Sequence, residues 1–283
     1  SWFKTIKWIL QEDPDYVVVR YWHPYFSICL SFILAFLRAK SIFIIAWIDN
    51  IEPHDPVPFQ KILTICFLKL CDAFVVMSQS VKKTLLNYCN HVNEDIVVCP
   101  HPIYSIFGKI IQKHTARKNL GLFESSTKND NRYILFFGLI RKYKGLDILL
   151  DVMALEKIKA LKIKLIIAGE FYESKEKYLE KIQKLKIRDS IILHDYYIPN
   201  KDVVNYFCAS DIVVQPYISA TQSGVSMIAF NFNKPVLLTN VGGLSEYINH
   251  GLNGYLVHPD IDSISKMLED YYVNDREPIF SEE

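Results

Sequence analysis

Two rhythms of apolar residues alternate along the chain. Short continuous apolar runs at 16–19, 41–47, 73–77 and 95–99 predict strands, and helical periodicity predicts helices at 2–11, 26–38, 59–71 and 81–88. The alternation resumes after position 133, with strand-like runs at 133–138, 164–170, 190–196, 211–217, 235–241 and 255–258. Helical patterns at 146–159, 174–186, 201–208, 225–232, 244–250 and 261–271 fall between them. Strands that are apolar throughout are covered on both faces, and their interleaving with helices predicts βαβ units around parallel sheets. Scattered Lys, Ser, Asn and Thr interrupt the pattern between 109 and 132. The expected organisation is therefore a first domain over 1–108, a linker over 109–132 and a doubly wound domain over 133–283.

Composition narrows this picture. Half of the 283 residues are hydrophobic, enough for a large core, and 32 Lys plus Arg against 31 Asp plus Glu leave a net charge of +1. No strongly basic surface for nucleic acid follows from that balance, so any anion site must be local. Six cysteines without a CxxC pair read as buried thiols in a reducing compartment. Clustered Cys or His at metal-ligand spacing is missing, so no metal site is expected. The apolar stretch 25–47 is broken by Arg38 and Lys40. It falls short of the roughly 20 residues that span a bilayer and reads as a buried helix and strand. The chain opens at Ser1 with no signal-peptide pattern, as a chain beginning inside a longer protein would.

Eight of the ten glycines lie from Gly138 onward, most of them at expected strand-to-helix junctions. Ligands of doubly wound sheets bind at such strand ends, where glycine admits a phosphate to the backbone and a helix N-terminus faces it. Three junctions carry candidate chemistry. Gly138 through Asp147 leaves a strand and enters a helix with Arg141, Lys142 and Lys144, which suits a diphosphate or is simply a basic turn. Thr221, Gln222, Ser223, Gly224 and Val225 precede another helix and can donate to phosphate oxygens, cap the helix, or do both. Gly242 and Gly243 lead to Glu246, which accepts from sugar hydroxyls or merely complements the helix dipole.

Taken in series, these segments resemble the GT-B glycosyltransferases of family 4, the glycosyl transferases group 1. The resemblance runs through Gly138, Lys144-Gly145, Ala168-Gly169-Glu170, Ala209-Ser210-Asp211, Val214-Gln215-Pro216 and Lys234-Pro235-Val236. It continues through Val241-Gly242-Gly243 to Gly251-Leu252-Asn253-Gly254, and is weaker before Tyr133. The implied fold is α/β, with two Rossmann-like doubly wound domains facing a cleft, the first incomplete at its N-terminus. The implied activity is a retaining transfer of sugar from a nucleotide-diphosphate sugar to a glycan, lipid or other acceptor. No essential metal or cofactor is implied.

The resemblance carries the family's phosphate-binding lysine onto Lys144. Its arginine slot holds Leu139, so Arg141, two residues on, is the substitute. The family's pair of glutamates falls on Ala220 and Ile228, neither of which can do that work. The run 220–225 instead resembles a bacterial subgroup with a Thr-Gln-Ser-Gly motif, in which a glycine-led helix start takes over phosphate binding. Gly138, Gly169, Glu170, Tyr197 and Glu246 complete the implied donor site, and the base is expected near 194–199. On the acceptor side, Asp49 stands where the family often has a histidine and joins Arg141 and Lys144 as a catalytic candidate. Asn50, His54 and His23 are candidate acceptor contacts.

Expected partners are the nucleotide sugar and a glycan or lipid-linked acceptor, with the chain cytoplasmic or peripheral at the inner face of a membrane. The missing glutamate pair keeps a non-catalytic nucleotide-sugar-binding subunit as an alternative, and shared architecture keeps a GT-B nucleotide-sugar epimerase. A truncated, inactive fragment is the third.

Overall fold

The computed structural model describes residues 1–52, 57–89, 95–122, 132–277 and 280. They form two compact units, Ser1–His101 and Pro102–Glu283. In the first, α1 (Trp2–Gln11), β1 (Tyr16–Tyr21), α2 (Ser27–Arg38) and β2 (Phe43–Ile48) are followed by α3 (Gln60–Leu68) and β3 (Ala73–Val76). Helix α4 (Gln79–Leu86) and β4 (Ile96–Val98) complete it. The sheet is parallel, in the order β1-β2-β3-β4, and buries Tyr21, Ile44, Ala46, Ile48, Phe74 and Val76 against its helices.

The second unit begins with α5 (Lys113–Asn119) and β5 (Arg132–Phe137), then α6 (Leu146–Ala154), α7 (Glu156–Ala160), β6 (Ile163–Ala168), α8 (Glu176–Lys184) and β7 (Ile191–His194). It continues through α9 (Asn200–Ala209), β8 (Ile212–Gln215), α10 (Gly224–Asn231), β9 (Val236–Thr239), β10 (Gly254–Val257) and α11 (Ile261–Val273). The six strands are parallel in the order β10-β9-β8-β5-β6-β7. Chain direction across the sheet reverses between β5 and β8, the position at which doubly wound sheets open a crevice at their strand ends. Leu165, Ile166 and Ile167 of β6 and Ile212, Val213 and Val214 of β8 are all buried. Both faces of these strands are covered, which is why their sequences run apolar without alternation.

Several expectations change in detail. The helix expected at 146–159 breaks at Leu155, whose backbone is extended (φ −67°, ψ 134°), giving α6 and α7. The helix expected at 244–250 is a single 3-10 turn, Leu244–Tyr247. The Asn253 side chain takes the groups a longer helix would use, accepting from Asn249 N (2.9 Å) and donating to Tyr247 O (3.1 Å). The stretch read as a linker contains α5, whose Arg117 donates to Ala209 O (3.0 Å) at the end of α9. No disulfide joins the cysteines among the described residues, and they are not uniformly buried: Cys71 and Cys208 are buried, Cys29 and Cys89 half-buried, Cys66 and Cys99 exposed. An apolar neighbourhood in sequence does not fix which face of α3, or which side of the end of β4, a residue occupies.

Candidate functional site

In the second unit, β5 ends at Phe137 and the chain turns at Gly138, with φ +95°. A Cβ there would stand 3.3 Å from Lys144 Nζ and 3.6 Å from Val225 Cγ2, so the strand end, the basic turn and the start of α10 converge on one point. Gly169, at the end of the neighbouring β6, fits against it more tightly, since a Cβ would fall 2.3 Å from Gly138 O. Only glycine lets these two backbones meet.

Lys144 closes the 3-10 turn Lys142–Lys144 and is 8% exposed. No ion pair or hydrogen bond engages its ammonium among the described residues. It lies 5.5 Å from the centre of the Tyr217 ring. Burial holds its pKa below the ordinary lysine value; Tyr143 partly offsets this and Arg141 adds to it. A buried cation without a counter-charge costs free energy, and an anion beside it relieves that cost.

The loop after β8 supplies the opposite wall. Gln215 and Ser226 hydrogen-bond across its base (3.1 Å), and Thr239 Oγ1 donates to Tyr217 O (2.5 Å). Burial pushes the Tyr217 phenol up to about 12, against a hydrogen bond with Ser223 that lowers it. The loop therefore delivers Gln222, Ser223 and Gly224 to the N-terminus of α10 on a buried scaffold. With Lys144, Tyr143, Tyr217 and Val225 they line a pocket of about 350 Å³. Its other side is apolar, formed by Tyr104, Ile106, Phe107 and Ile228. Gln222 Oε1 is buried with no hydrogen-bond partner among the described residues.

An ammonium, a glycine-led helix start, a side-chain amide and a hydroxyl thus share one cavity, a donor set made for phosphate oxygens. Of the residues expected in the donor site, Lys144, Gln222, Ser223, Gly224 and Val225 meet in the pocket, with Gly138 and Gly169 beside it. Arg141 does not line it. Its guanidinium carbon lies 4.0 Å from the centre of the Tyr172 ring, and its Nε is buried without a hydrogen-bond partner among the described residues. Glu170, Tyr197 and Glu246 are exposed, and Thr221 turns its carbonyl to Gly243 N (3.1 Å). At the end of β7, His194 accepts from or donates to Tyr206 (2.7 Å) and stacks on Tyr196, making an aromatic surface at 194–206. Burial lowers the His194 pKa and the Asp195 carboxylate raises it. Ala220 and Ile228 are 8% and 7% exposed and belong to the apolar core, so no carboxylate occupies either slot.

Sequence reading missed the aromatic wall. Tyr104 falls within the first domain expected over 1–108, yet it belongs to the second unit, where its ring packs against Gly224. Tyr172 and Tyr217 carried no signal, because an aromatic near a strand end reads equally as core.

The chain matches the family profile described as glycosyl transferases group 1 over residues 121–278, more than half its length. The chain belongs to this family. A D-inositol 3-phosphate glycosyltransferase of Pseudarthrobacter chlorophenolicus is 32% identical over 127 residues, covering 44% of this chain and 30% of that protein. An uncharacterized glycosyltransferase of Methanocaldococcus jannaschii is 27% identical over 199 residues, covering 68% and 48%. The chain thus spans less than half the length of either. Among solved structures, Anabaena HepE in complex with UDP superposes with a TM-score of 0.80 at 15% identity, covering 98% of this chain and 74% of HepE. Sucrose-phosphate synthase of Thermosynechococcus elongatus does so with 0.77 at 16% identity, covering 93% and 66%. These likenesses establish the GT-B type of α/β fold, two units each built on a parallel sheet, and the family profile lies on the unit that holds the pocket.

In the first unit, Asp49 follows β2 and its carboxylate is gripped by Arg20 of β1, at 2.7 Å from Nε and 3.4 Å from a terminal nitrogen. Burial lowers the pKa of His101, Asp49 raises it, and Arg20 lowers it. His23 Nδ1 accepts from Tyr25 N (3.1 Å) and so caps the short helix Pro24–Phe26. Asn50 is half-buried next to Asp49, and His54 lies outside the described residues. Among the described residues no group of three or more His, Cys, Asp or Glu could hold a metal ion, and no helix is long and apolar enough to cross a membrane.

Proposed function

We propose that this chain carries the donor site of a retaining glycosyltransferase that moves a sugar from a nucleotide-diphosphate sugar to a glycan, lipid or other acceptor. The observation that carries the reading is Lys144, a buried cation with no anionic partner among the described residues, facing the Ser223-Gly224 start of α10. In this reading the bond from the sugar anomeric carbon to the diphosphate oxygen breaks as the bond to the acceptor oxygen forms on the same face. The acceptor proton passes to the departing diphosphate. Lys144 and Arg141 neutralise the charge that develops on that diphosphate, and the amides and hydroxyl at 223–224 add hydrogen bonds in a site with little water. Loss of one such donor raises the barrier by about 3 kcal/mol.

The Thr-Gln-Ser-Gly run takes the place of the glutamate pair, with Gln222 in reach of the donor. The base lies against the His194, Tyr196 and Tyr206 surface near Tyr197, with Glu170 and Glu246 as further donor contacts. Asp49, with Asn50, His54 and His23, serves the acceptor. HepE is bound to UDP, which makes UDP the first nucleotide to test. The nucleotide sugar comes from the cytosolic pool, and Trp2, Phe3 and Trp8, exposed on a helix that also carries Lys4 and Lys7, support peripheral contact with a membrane bearing the acceptor.

Calorimetric titration with UDP, GDP and ADP tests the reading. One nucleotide is expected to bind at micromolar concentration and to lose binding in Lys144→Ala. Failure of all three to bind overturns it. Binding without hydrolysis or transfer of the matching nucleotide sugar instead supports a nucleotide-sugar-binding subunit, the reading favoured by the apolar residues at 220 and 228.

A further inference from the structure

The loop carrying Arg141 is tied to the loop after β6. Ile140 N donates to Glu170 O (2.8 Å), Tyr172 N donates back to Ile140 O (3.0 Å), and Ile140 forms an isolated parallel bridge with Phe171. Two residues on, Lys142 N donates to the Glu173 carboxylate (3.0 Å), which also pairs with Lys177. This short ladder fixes the backbone of 140–142 against 170–173. At its edge the Arg141 guanidinium carbon lies 4.0 Å from the centre of the Tyr172 ring.

Tyr172 is 64% exposed, so the ring contributes little to the core. No hydrogen bond or ion pair orients Arg141 among the described residues, and its Nε is buried without a partner. The ring face is therefore the contact that restricts the guanidinium. An arginine lying over an aromatic face keeps the N–H groups along its edge directed outward, the geometry in which it grips a phosphate with two hydrogen bonds.

We propose that Tyr172 is a positioning residue for Arg141, holding its guanidinium ready for the donor diphosphate. The proposal rests on the donor-site reading, in which Arg141 contacts that diphosphate. It also accounts for an arginine placed two residues beyond the family position: the ring after β6 supplies the support that the altered spacing removes. Because the contact is made by a ring face, phenylalanine would serve as well as tyrosine, and a lysine at 141 would lose the edge geometry.

The test is calorimetry with UDP and GDP in parallel, using whichever binds the wild type more tightly, on Arg141→Ala, Tyr172→Ala, Tyr172→Phe and the Arg141→Ala/Tyr172→Ala pair. Tyr172→Ala is expected to weaken binding about fivefold, and Tyr172→Phe to bind like the wild type. In the Arg141→Ala background, loss of the ring is expected to change nothing further. Thermal unfolding of Tyr172→Ala should coincide with the wild type, which separates positioning from damage to the fold. If Arg141→Ala weakens binding but Tyr172→Ala does not, or if the two losses add in the double variant, the positioning role is overturned. If Arg141→Ala binds like the wild type while Lys144→Ala does not, Arg141 has no place in the site and the proposal fails with the donor site intact. A wild-type chain that binds neither nucleotide overturns both.

Discussion

The Lys144 ammonium stands 3.3 Å from the point that a Cβ on Gly138 would occupy. Strand end and basic turn are therefore fitted so closely that a methyl group there would need the ammonium to give way. Gly138→Ala would both strain a backbone at φ +95° and push the ammonium by a few tenths of an ångström. We expect the variant to fold with a loss of about 1–2 kcal/mol and to bind nucleotide about tenfold more weakly. Gly169→Ala meets backbone rather than a flexible side chain, at 2.3 Å from Gly138 O. It should cost more than about 3 kcal/mol. Denaturant unfolding and calorimetry on both variants check the contrast, and equal costs would contradict it.

Lys144 should trade stability for binding. Replacing it by methionine removes a buried charge that has no partner among the described residues, so Lys144→Met is expected to be more stable by about 1 kcal/mol while losing nucleotide binding. The pH dependence follows from the lowered folded-state pKa. In the window between that depressed value and the ordinary lysine value of about 10.4, the unfolded chain binds more protons than the folded one. The contribution of Lys144 to folding therefore becomes less unfavourable as pH rises through this window. If nucleotide binds through the ammonium, as proposed, its affinity should fall as pH rises across the same window. Calorimetry over an alkaline pH series measures this, and an affinity independent of pH would count against Lys144 as the ligand.

Order and type of most elements were legible in the sequence because this sheet type writes itself as unbroken apolar runs, such as 165–168 and 212–214. Legibility ended where side chains decide. Asn253, seven residues beyond Glu246, converts an expected helix into a turn through two hydrogen bonds that no periodicity encodes. Gly138, Lys144 and Gly224 were legible as candidates that would come together, because phosphate chemistry favours those types at strand ends. Tyr104, Tyr172 and Tyr217 were not, since their roles depend on which glycine or cation each ring meets in space.

Asp211, 5% exposed, shows what holds α5 to the pocket-bearing sheet. It accepts from Tyr133 N (2.7 Å), Lys113 (2.9 Å), Arg117 (2.9 Å) and Tyr272 OH (3.3 Å). Asp211→Ala removes the common partner of two cations, and breaking a buried pair in this way costs about 3–5 kcal/mol. Asp211→Asn keeps the shape but not the charge and should fall between Ala and wild type. Urea unfolding of the two variants would expose a misreading if Asp211→Ala lost less than about 1 kcal/mol.

Asp49 differs in kind from Asp211. Its partner Arg20 has a side chain 65% exposed, so the pair is screened by water and is worth no more than about 1 kcal/mol. Asp49→Asn should therefore leave the unfolding transition nearly where it is. If the carboxylate acts on the acceptor, as proposed, the same substitution should leave the dissociation constant for nucleotide unchanged, because every residue lining the pocket proposed for the donor belongs to the other unit. Turnover of the nucleotide sugar with acceptor should fall at least tenfold. Arg20→Ala separates charge from position: it frees the Asp49 carboxylate without removing it, so a smaller loss than in Asp49→Asn is expected. Full activity in Asp49→Asn would make the Arg20 pair a structural link between β1 and β2 and nothing more.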